Sequence, residues 1–425
     1  MTDIASQRLL EGRAWDDFCE TLRLTGHEIA RWGDVPDAQD RTEWYRYLTR
    51  LARNGLERFV ENSEPDTPRL RDTPFRCSIN AQHPGQDHLL SEWFEPGYEY
   101  RMWGNRGTVD YFVIGVWKAA QNLDVGAQDW ADAGVESLKE FDPAMLFTTA
   151  FLQSDSIDFD ADGNFEVMLT REAPADGRNW LKIDEESVGL LVRIVHQDRA
   201  REINPVMHIE RLDHPQQRPV RPAELATNLA RAAQMVRGYA ELPRAWWFDN
   251  LSKRKNQLQF SRGVYLSNGG VADRHHAFGV WEKPEDHALI FHFEVPPAEN
   301  WIFQLLNIFQ ENLDIYEQEK GYIENRRAIL EPDGSAYVVI ADKDPGIGGN
   351  WIDAFQHRHG TMSLRFIKCE TPPSVRAYLV PLADLEKSGR QALAEVTSII
   401  AANKWSDAAA MRAAPTVSSA GTALQ

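Results

Sequence analysis

The sequence predicts a mainly β protein with peripheral helices, arranged as two related jelly-roll or β-sandwich-like lobes that follow N-terminal helices. Short runs rich in Val, Ile, Tyr and Phe alternate with turn signals through most of the chain, which is typical of half-buried strands. One such block, residues 162–198, is echoed by a second, residues 333–370. The chain has 425 residues, and domains usually have about 100–200, so two lobes fit its length.

The N-terminal helical segment is predicted over residues 1–65. Trp44 and Tyr47 recur there at helical spacing, which indicates an amphipathic helix that packs on the rest of the protein. Asp40, with Glu43 three residues later, is the expected N-cap of this helix. The pattern therefore gives this segment a packing role.

Four further segments follow along the chain. The first β-rich lobe is predicted over 66–215, a helix and linker over 216–275, the second β-rich lobe over 276–381, and a C-terminal helix with a frayed tail over 382–425. Proline and glycine clusters and shifts in composition set these boundaries.

Helical periodicity sets finer limits within two of these segments. Apolar residues recur at helical spacing over 222–241, and a polar stretch rich in Lys, Asn and Ser follows over 249–273. A late helix is predicted over 382–403. Trp246 and Trp247 follow the middle helix and are expected to fill the joint between the lobes.

An internal repeat supports the prediction of two related lobes. Each copy carries an Asp-Gly turn, an outgoing strand, a glycine-containing loop that ends at Asn-Trp, and a return strand with an arginine. Asp-Gly favours a tight turn because glycine tolerates positive φ. The matched positions, offset by 171 or 172 residues, are Asp162–Gly163 with Asp333–Gly334, Asn179–Trp180 with Asn350–Trp351, and Arg193 with Arg365.

The second copy and its surroundings resemble a known family. The run IFQLLNIFQENLD (302–314) and the segment that begins EPDGSAYVVIADKDP (331–366) resemble the domain-of-unknown-function 1214 family, with its DGS turn, Asn-Trp-Leu loop and late Leu-Arg strand. Upstream segments extend the resemblance to longer bacterial members over most of 13–380. The resemblance implies jelly-roll-like β lobes with peripheral helices and little about activity. Ile352 replaces the usual Leu, and His359 stands where relatives more often carry Arg.

The amino-acid composition limits the kinds of binding partner that we expect. The chain has 64 acidic and 46 basic side chains, a net charge of −18, and a surface this negative repels nucleic acid and anionic membranes. Three scattered cysteines are too few for a disulfide framework, and neither a signal peptide nor an apolar stretch of about 18 residues is apparent. The sequence therefore indicates a cytoplasmic protein that binds a small-molecule substrate or ligand. It leaves open whether the protein forms a homo-oligomer.

Standard catalytic and cofactor signatures are absent. The sequence has no P-loop, no dinucleotide-binding glycine motif, no GxSxG elbow and no HExxH motif, so no cofactor is expected. Asp158, Asp160 and Asp162 begin like a calcium loop, yet Leu169 stands where the twelfth-position carboxylate belongs. That departure favours an ordinary turn.

Titratable side chains concentrate in residues 350–359. Asp353, His357 and His359 could form an acid–base pair or ligate a metal, because imidazole titrates near neutral pH. The alternative is that they cap the loop and pack against its surroundings. We assign no metal. Glu311 lies in a preceding aromatic run and is a further candidate acid or base.

The leading functional hypothesis is a catabolic enzyme of hydrolase or lyase type that acts on a small, rather apolar organic molecule. Asp353, His357 and Glu311 are its candidate catalytic residues. The alternative is a carbohydrate- or ligand-binding β-sandwich protein without catalysis, since 14 tryptophans offer stacking surfaces. An interaction protein without chemistry is a third class. Candidate substrate-binding residues are Arg365, Asn350, Trp351, Arg101, Arg106 and His292.

Overall fold

The fold consists of two β-sandwich lobes with helices packed against them. The computed structural model describes residues 3–32, 37–73, 86–92, 94–95, 97–119, 146–198, 201–216, 218–260, 274–313, 319–392, 401–403 and 418–419. Within these residues the α-helices are α1 (Ile4–Leu10), α2 (Arg13–His27), α3 (Ala38–Leu56), α4 (Pro222–Arg254) and α5 (Leu382–Ser388). None of the helices in these ranges is long and apolar enough to cross a membrane.

The first lobe contains two sheets that enclose one apolar core. Sheet A has the strand order β1-β2-β8-β4-β5, with β20 (Ser418–Ser419) at its edge, and sheet B has the order β7-β6-β3-β9. Side chains such as Phe112 from sheet A and Met102 from sheet B share the core. The strands are β1 (Arg71–Thr73), β2 (Gln86–Glu92), β3 (Tyr100–Asn105), β4 (Tyr111–Ala119), β5 (Leu146–Gln153), β6 (Asn164–Thr170), β7 (Trp180–Lys182), β8 (Ser187–Val195) and β9 (Val206–Arg211).

The second lobe is built in the same way. Sheet C has the order β10-β11-β17-β13-β14, and sheet D has the order β16-β15-β12-β18 with β19 (Ala401–Asn403) at its edge. Phe303 from sheet C and Phe291 from sheet D meet in its core. The strands are β10 (Gln259–Phe260), β11 (Arg274–Glu282), β12 (His287–Glu294), β13 (Asn300–Leu306), β14 (Tyr322–Glu324), β15 (Ser335–Ala341), β16 (Asn350–Asp353), β17 (His359–Ile367) and β18 (Val375–Pro381).

Strand pairing relates the two lobes one to one. β1 to β9 occupy the same positions in sheets A and B as β10 to β18 occupy in sheets C and D, in unbroken chain order. The pairing of β6 with β7 is parallel, and so is the pairing of β15 with β16. The Asp-Gly turns precede β6 and β15, with φ of +81° at Gly163 and +83° at Gly334. The predicted pair of related sandwich-like lobes is thereby confirmed.

A helical layer packs against the second lobe. Trp44 and Tyr47 of α3 are buried with Val236 of α4 and with Phe309, which follows β13. Gly55 of α3 lets the two helices approach closely, because an added Cβ would lie 3.1 Å from a backbone oxygen of α4. The predicted N-terminal helical segment is confirmed. One detail is wrong: Asp37 is the N-cap of α3, and Asp40 is its partner in the capping box.

Two predicted helix ends also differ from the structure. α4 continues through Pro243 to Arg254, so the predicted linker begins later than residue 249. A proline within a helix removes only one backbone hydrogen bond, and tertiary packing can offset that loss. The late helix ends at Ser388, because Gly389 takes a positive φ of +55°, and residues 401–403 form β19 instead of the predicted helix. Residues 393–400 and most of the predicted frayed tail lie outside the described residues.

Candidate functional site

The two lobes meet through the outer faces of sheets A and C. Tyr111 and Val195 of sheet A belong to one buried apolar cluster with Ile367 of sheet C. The Arg274 guanidinium of β11 also donates a hydrogen bond to the Tyr111 hydroxyl at 3.2 Å. These contacts fix which face of each sheet the other lobe covers.

The two repeat-related arginines lie on these same faces. Arg193 precedes Val195 by two positions on β8, and Arg365 precedes Ile367 by two positions on β17. Alternate residues of a strand point to the same side, so both arginines are directed to the joint between the lobes. Arg193 is buried and Arg365 is half-buried.

Sheet C carries polar side chains on this face in two adjacent rows. They lie between the lobe contact and the helical layer. In the strand register, the first row is His276, Arg365, Ile302 and Glu324, and the second is Phe278, Ser363, Gln304 and Tyr322. The opposite face of the same strands is apolar and forms the core of the second lobe. We call His276, Gln304, Tyr322, Ser363 and Arg365 the polar patch.

A charged donor and an imidazole meet at the centre of the polar patch. Arg365 Nε donates a hydrogen bond to His276 Nε2 at 2.9 Å. Since a guanidinium has no acceptor and stays charged, Nε2 must be unprotonated, and we assign the imidazole proton to Nδ1. His276 is therefore held as a neutral hydrogen-bond donor beside a fixed positive charge.

Ser363 adds a polar atom with no evident structural purpose. It is fully buried, and its hydroxyl has no hydrogen-bond partner within the described residues. Its cross-strand neighbour Gln304 is also buried and donates to Asn312 at 2.9 Å. An unsatisfied buried hydroxyl costs about 1–3 kcal/mol, so packing alone would favour an apolar residue at this position.

The first lobe repeats part of this arrangement in its backbone register. β2 places His88 opposite Arg193, just as β11 places His276 opposite Arg365. The remaining positions differ, because Leu191 stands where the second lobe has Ser363. The opposition of a histidine and an arginine in the strand register is thus common to both lobes, and the serine belongs to one.

The predicted catalytic residue His357 lies elsewhere, between α3 and the second lobe. Its Nε2 is 3.0 Å from a carboxylate oxygen of Glu43, and its Nδ1 is 3.1 Å from the carbonyl oxygen of Ala354. Burial lowers the pKa of His357, but the hydrogen bond and charge of Glu43 outweigh it, so the net pKa is raised. The Gln39 amide nitrogen lies 2.9 Å from Nε2 as well, so Glu43, Ala354 and Gln39 together fix the orientation of the His357 ring.

A second histidine–carboxylate pair lies beside the first. His359 Nε2 is 2.7 Å from Asp40, and Trp247 packs on the imidazole with ring centroids 5.3 Å apart. Burial opposes protonation of His359, but Asp40 raises its pKa overall. Asp37, Asp40 and His359 have metal-like spacing, yet the helix cap and this ion pair already account for all three positions. Asp40, Glu43, His357 and His359 form what we call the histidine clamp.

Glu311 is connected to the histidine clamp through one amide. Its carboxylate forms an ion pair with Arg50 of α3 and accepts from Asn307 Nδ2 at 3.3 Å. The same Nδ2 donates to Glu43 at 3.0 Å. Burial raises the pKa of Glu311, although Arg50 opposes that shift. Glu311 and His357 therefore share a network but do not touch.

Asp353 stabilises the turn that carries His357. Its carboxylate accepts a hydrogen bond from the Phe355 backbone N–H at 2.7 Å. Phe355 and Gln356 take positive φ angles of +48° and +63°, which is unfavourable for residues with side chains. Asp353 thus offsets local strain, and no hydrogen bond joins it to His357 within the described residues.

Asn350 uses its side chain on the backbone of its own lobe. It accepts from the Ile329 N–H at 2.7 Å and donates to the carbonyls of Ile329 and Tyr337 at 3.0 and 2.9 Å. Asn179 makes the corresponding three bonds in the first lobe. The asparagine of the Asn-Trp loop therefore holds neighbouring backbone segments together in each lobe.

The remaining predicted binding residues are also spread over the molecule. Trp351 Nε1 donates to a backbone carbonyl of β15 at 3.0 Å, and Arg106 donates to the Val109 carbonyl at 3.3 Å. His292 stacks on Tyr337 with ring centroids 4.2 Å apart, on the outer face of sheet D. Arg101 lies in a groove of sheet B. Among the nine predicted residues, Arg365 alone lies in the polar patch.

Sequence reasoning missed most of the polar patch because its members come from different strands. His276, Ser363 and Tyr322 become neighbours only through the strand order β11-β17-β13-β14. The available signal was the alternation of β17, where Ser363 and Arg365 interrupt an apolar strand on one face. Glu43 was interpreted as a cap residue, although it binds His357.

Comparison with known proteins places this architecture in a family. Residues 145–198 match the family model described as protein of unknown function (DUF1214), a stretch that includes Asn179 and Arg193. A solved structure of an uncharacterized protein from Burkholderia cenocepacia is 30% identical; the match covers 89% of this chain and 99% of that one, with a TM-score of 0.78.

Other comparisons add less. A protein from Vibrio parahaemolyticus is 12% identical, with 78% of this chain and 97% of that chain covered and a TM-score of 0.43. No curated protein matches the chain. The identity and coverage of the Burkholderia cenocepacia structure decide the assignment: the chain belongs to the same family as that protein and carries the DUF1214 signature in its first lobe.

Proposed function

We propose that the protein is an enzyme of hydrolase or lyase type that acts on a small, rather apolar organic molecule with an anionic group, bound at the polar patch. The observation that carries this proposal is that the polar side chains of His276, Gln304 and Ser363 are buried on one face of sheet C. Burial of polar groups is costly, so a fold that needed only adhesion between its lobes would use apolar residues there.

The chemistry of the polar patch suits an organic anion. Arg365 supplies the forked, permanently charged donor that recognises carboxylates. His276 adds a neutral N–H donor, and Ser363 adds a hydroxyl in a water-poor setting. Phe278 lies against the His276 ring in a tilted arrangement, with centroids 3.7 Å apart, and contributes apolar surface where the polar patch borders the helical layer.

Each side chain has a distinct expected role. Arg365 anchors the anionic group and, through its hydrogen bond, fixes the tautomer of His276. His276 Nδ1–H then donates to an oxygen on which negative charge develops, which lowers the barrier most effectively where water is excluded. Ser363 completes the hydrogen bonds of the substrate. The patch combines few polar groups with apolar surroundings, which is typical of small-molecule sites.

The test compares purified wild-type protein with Arg365→Lys in a thermal-shift panel of aryl and terpenoid carboxylic acids, their methyl esters and their amides. An acid at about a hundred times its Kd should stabilise the wild type by about 2.7 kcal/mol. Arg365→Lys keeps the charge but loses the forked donors, so we expect at least about a tenfold weaker Kd. Turnover of the stabilising compounds is then followed by mass spectrometry.

Arg376→Lys is the matched control, because Arg376 is an exposed arginine of the same lobe. It should bind as the wild type does. The binding site is refuted if no acid stabilises the wild type, or if the two variants bind equally. Binding without any product would refute the enzymatic role and leave the ligand-binding alternative.

We further infer that the two lobes arose by duplication and that the protein works in the cytoplasm. The shared strand order and the matching Asn350 and Asn179 hydrogen bonds support the first inference. The scattered cysteines and acidic composition support the second.

A further inference from the structure

The outer face of sheet B forms a groove of about 710 Å³ that is separate from the polar patch. Trp103 lies in the middle of this face, with Glu166 opposite on β6 and His208 opposite on β9. The volume falls within the range of about 300–1,000 Å³ that small-molecule sites occupy. Because Trp103 is only half-buried, its indole contributes apolar surface to the groove.

The charged side chains of the groove bind one another. Glu166 accepts hydrogen bonds from Arg101 at 3.0 Å and from Arg178 at 2.9 Å. Arg101 also forms an ion pair with Glu210 at 2.6 Å. An anion would have to displace carboxylates from both arginines and would face Asp158 and Asp160, which also line the groove. A cation would have to displace arginines from Glu166 and the Asn164 donors from Asp160. The groove is therefore least suited to an anionic ligand.

Amide and aromatic groups complete the lining. Asn105 Nδ2 donates to Asn164 Oδ1 and to the Asp162 carbonyl, both at 2.9 Å, and Asn164 Nδ2 donates to Asp160 at 2.9 Å. One N–H of Asn164 and one acceptor position on each amide oxygen remain for a ligand. The Arg101 guanidinium lies over the Trp103 ring, 4.8 Å from its centroid, and the His208 ring lies 5.4 Å away, so a ligand ring would contact the remaining indole surface. Planar polar groups around an indole face match a ligand with alternating hydroxyls and an apolar ring face.

The equivalent face of the second lobe is partly closed. Ile290 and Val339 of sheet D are buried there in one cluster with Leu385 of α5. Arg101 of sheet B corresponds to Ile290 of sheet D. Arg101 is the register partner of Met168, and Ile290 is the register partner of Val339. Val339 lies 171 positions after Met168, which is the offset between the two copies of the repeat. At these positions the face of sheet D is thus apolar and covered by α5, whereas His292 and Tyr337 farther along the same face are half-buried. The face of sheet B carries polar and aromatic side chains, and no helix of the described ranges covers it.

We propose that the groove of sheet B binds a neutral oligosaccharide. Hydroxyl groups both donate and accept, so they can bind the carboxylates, guanidinium groups and amides without breaking the ion pairs. The apolar face of a sugar ring stacks on Trp103. This second site goes beyond the proposed reaction and does not depend on it.

The experiment titrates the full-length protein with α-1,4-linked and β-1,4-linked glucose tetramers and with the β-1,4-linked N-acetylglucosamine tetramer, by calorimetry. We expect one of them to bind the wild type, and Trp103→Ala to weaken that binding at least tenfold. Trp15→Ala is the matched control, since Trp15 is an exposed tryptophan on α2, outside the groove. It should bind as the wild type does.

Two further measurements keep the result decisive. If Trp103→Ala lowers the melting temperature, the exposed residue His208 is replaced by Ala instead, with the same expected loss. Arg365→Lys should leave saccharide binding unchanged, which separates this site from the polar patch. The proposal is overturned if no tetramer binds, if Trp103→Ala and Trp15→Ala bind equally, or if glucuronate or spermine binds and the neutral tetramers do not.

Discussion

Replacement of His357 by Gln should weaken the attachment of α3 to the second lobe. Glutamine can still donate one hydrogen bond, but it cannot carry the positive charge that Glu43 faces at 3.0 Å. The two side chains are only 7% and 13% exposed, so solvent cannot replace the lost partner. Removal of one member of a buried ion pair typically costs about 3–5 kcal/mol. Glu43 keeps its hydrogen bond from Asn307, so we expect about 3 kcal/mol.

The same variant should change the dependence of stability on pH. The pKa of His357 is raised in the folded protein, so its stabilising contribution is complete below the ordinary histidine pKa of about 6.5. That contribution is lost as the pH rises through the folded pKa. His359 behaves in the same way, because Asp40 raises its pKa too. Wild-type stability should therefore fall above pH 6.5, and His357→Gln should remove only part of that fall.

Urea unfolding followed by tryptophan fluorescence at several pH values from 6 to 9 measures both effects. His287→Ala is the control, because His287 pairs with Asp286, whose side chain is 81% exposed. A surface pair of this kind should contribute no more than about 0.5 kcal/mol. If His357→Gln costs no more than His287→Ala, or keeps the full pH dependence, the histidine clamp does not hold α3 in place.

Two further predictions concern packing. Asn350→Ala should lower the free energy of unfolding by about 2–3 kcal/mol, because buried backbone groups lose three hydrogen bonds. Asn179→Ala should lower it less, since Asn179 is half-buried. Thermal denaturation measures both variants, and equal losses would contradict this reasoning. Gly55→Val should cost about 1–3 kcal/mol, because its side chain meets the Ala232 carbonyl, whereas Gly26→Ala, with no contact closer than 3.8 Å, should be neutral or stabilising.

Local sequence signals predicted the fold where turns and alternation determine it. Asp162–Gly163 and Asp333–Gly334 fixed the starts of β6 and β15, because only a residue without a Cβ takes their positive φ easily. The offset between the copies led to two lobes of equal strand order. Helix ends were harder to predict, since α4 runs through Pro243, where a local rule expects a break.

The contacts of the candidate sites could not be predicted in the same way. Glu43 and His357 are 314 positions apart, and no local pattern distinguishes a helix carboxylate that binds a distant histidine from one that faces solvent. Ser363 and His276 become neighbours only after β11 and β17 pair. Such contacts depend on long-range register, which a single sequence does not specify.

The differences between the lobes explain why each carries a different proposed site. Arg193 and Arg365 occupy equivalent positions at the joint, yet the neighbouring pair is Leu191 with Gly115 in the first lobe and Ser363 with Gln304 in the second. The serine and the glutamine of the polar patch therefore have no polar counterpart at the equivalent positions of sheet A. In the outer sheets it is the first lobe that offers a polar surface, because α5 packs on sheet D and no described helix covers sheet B. If both proposals hold, two lobes with the same strand order carry different functions: the second lobe carries the reaction and the first lobe binds the saccharide.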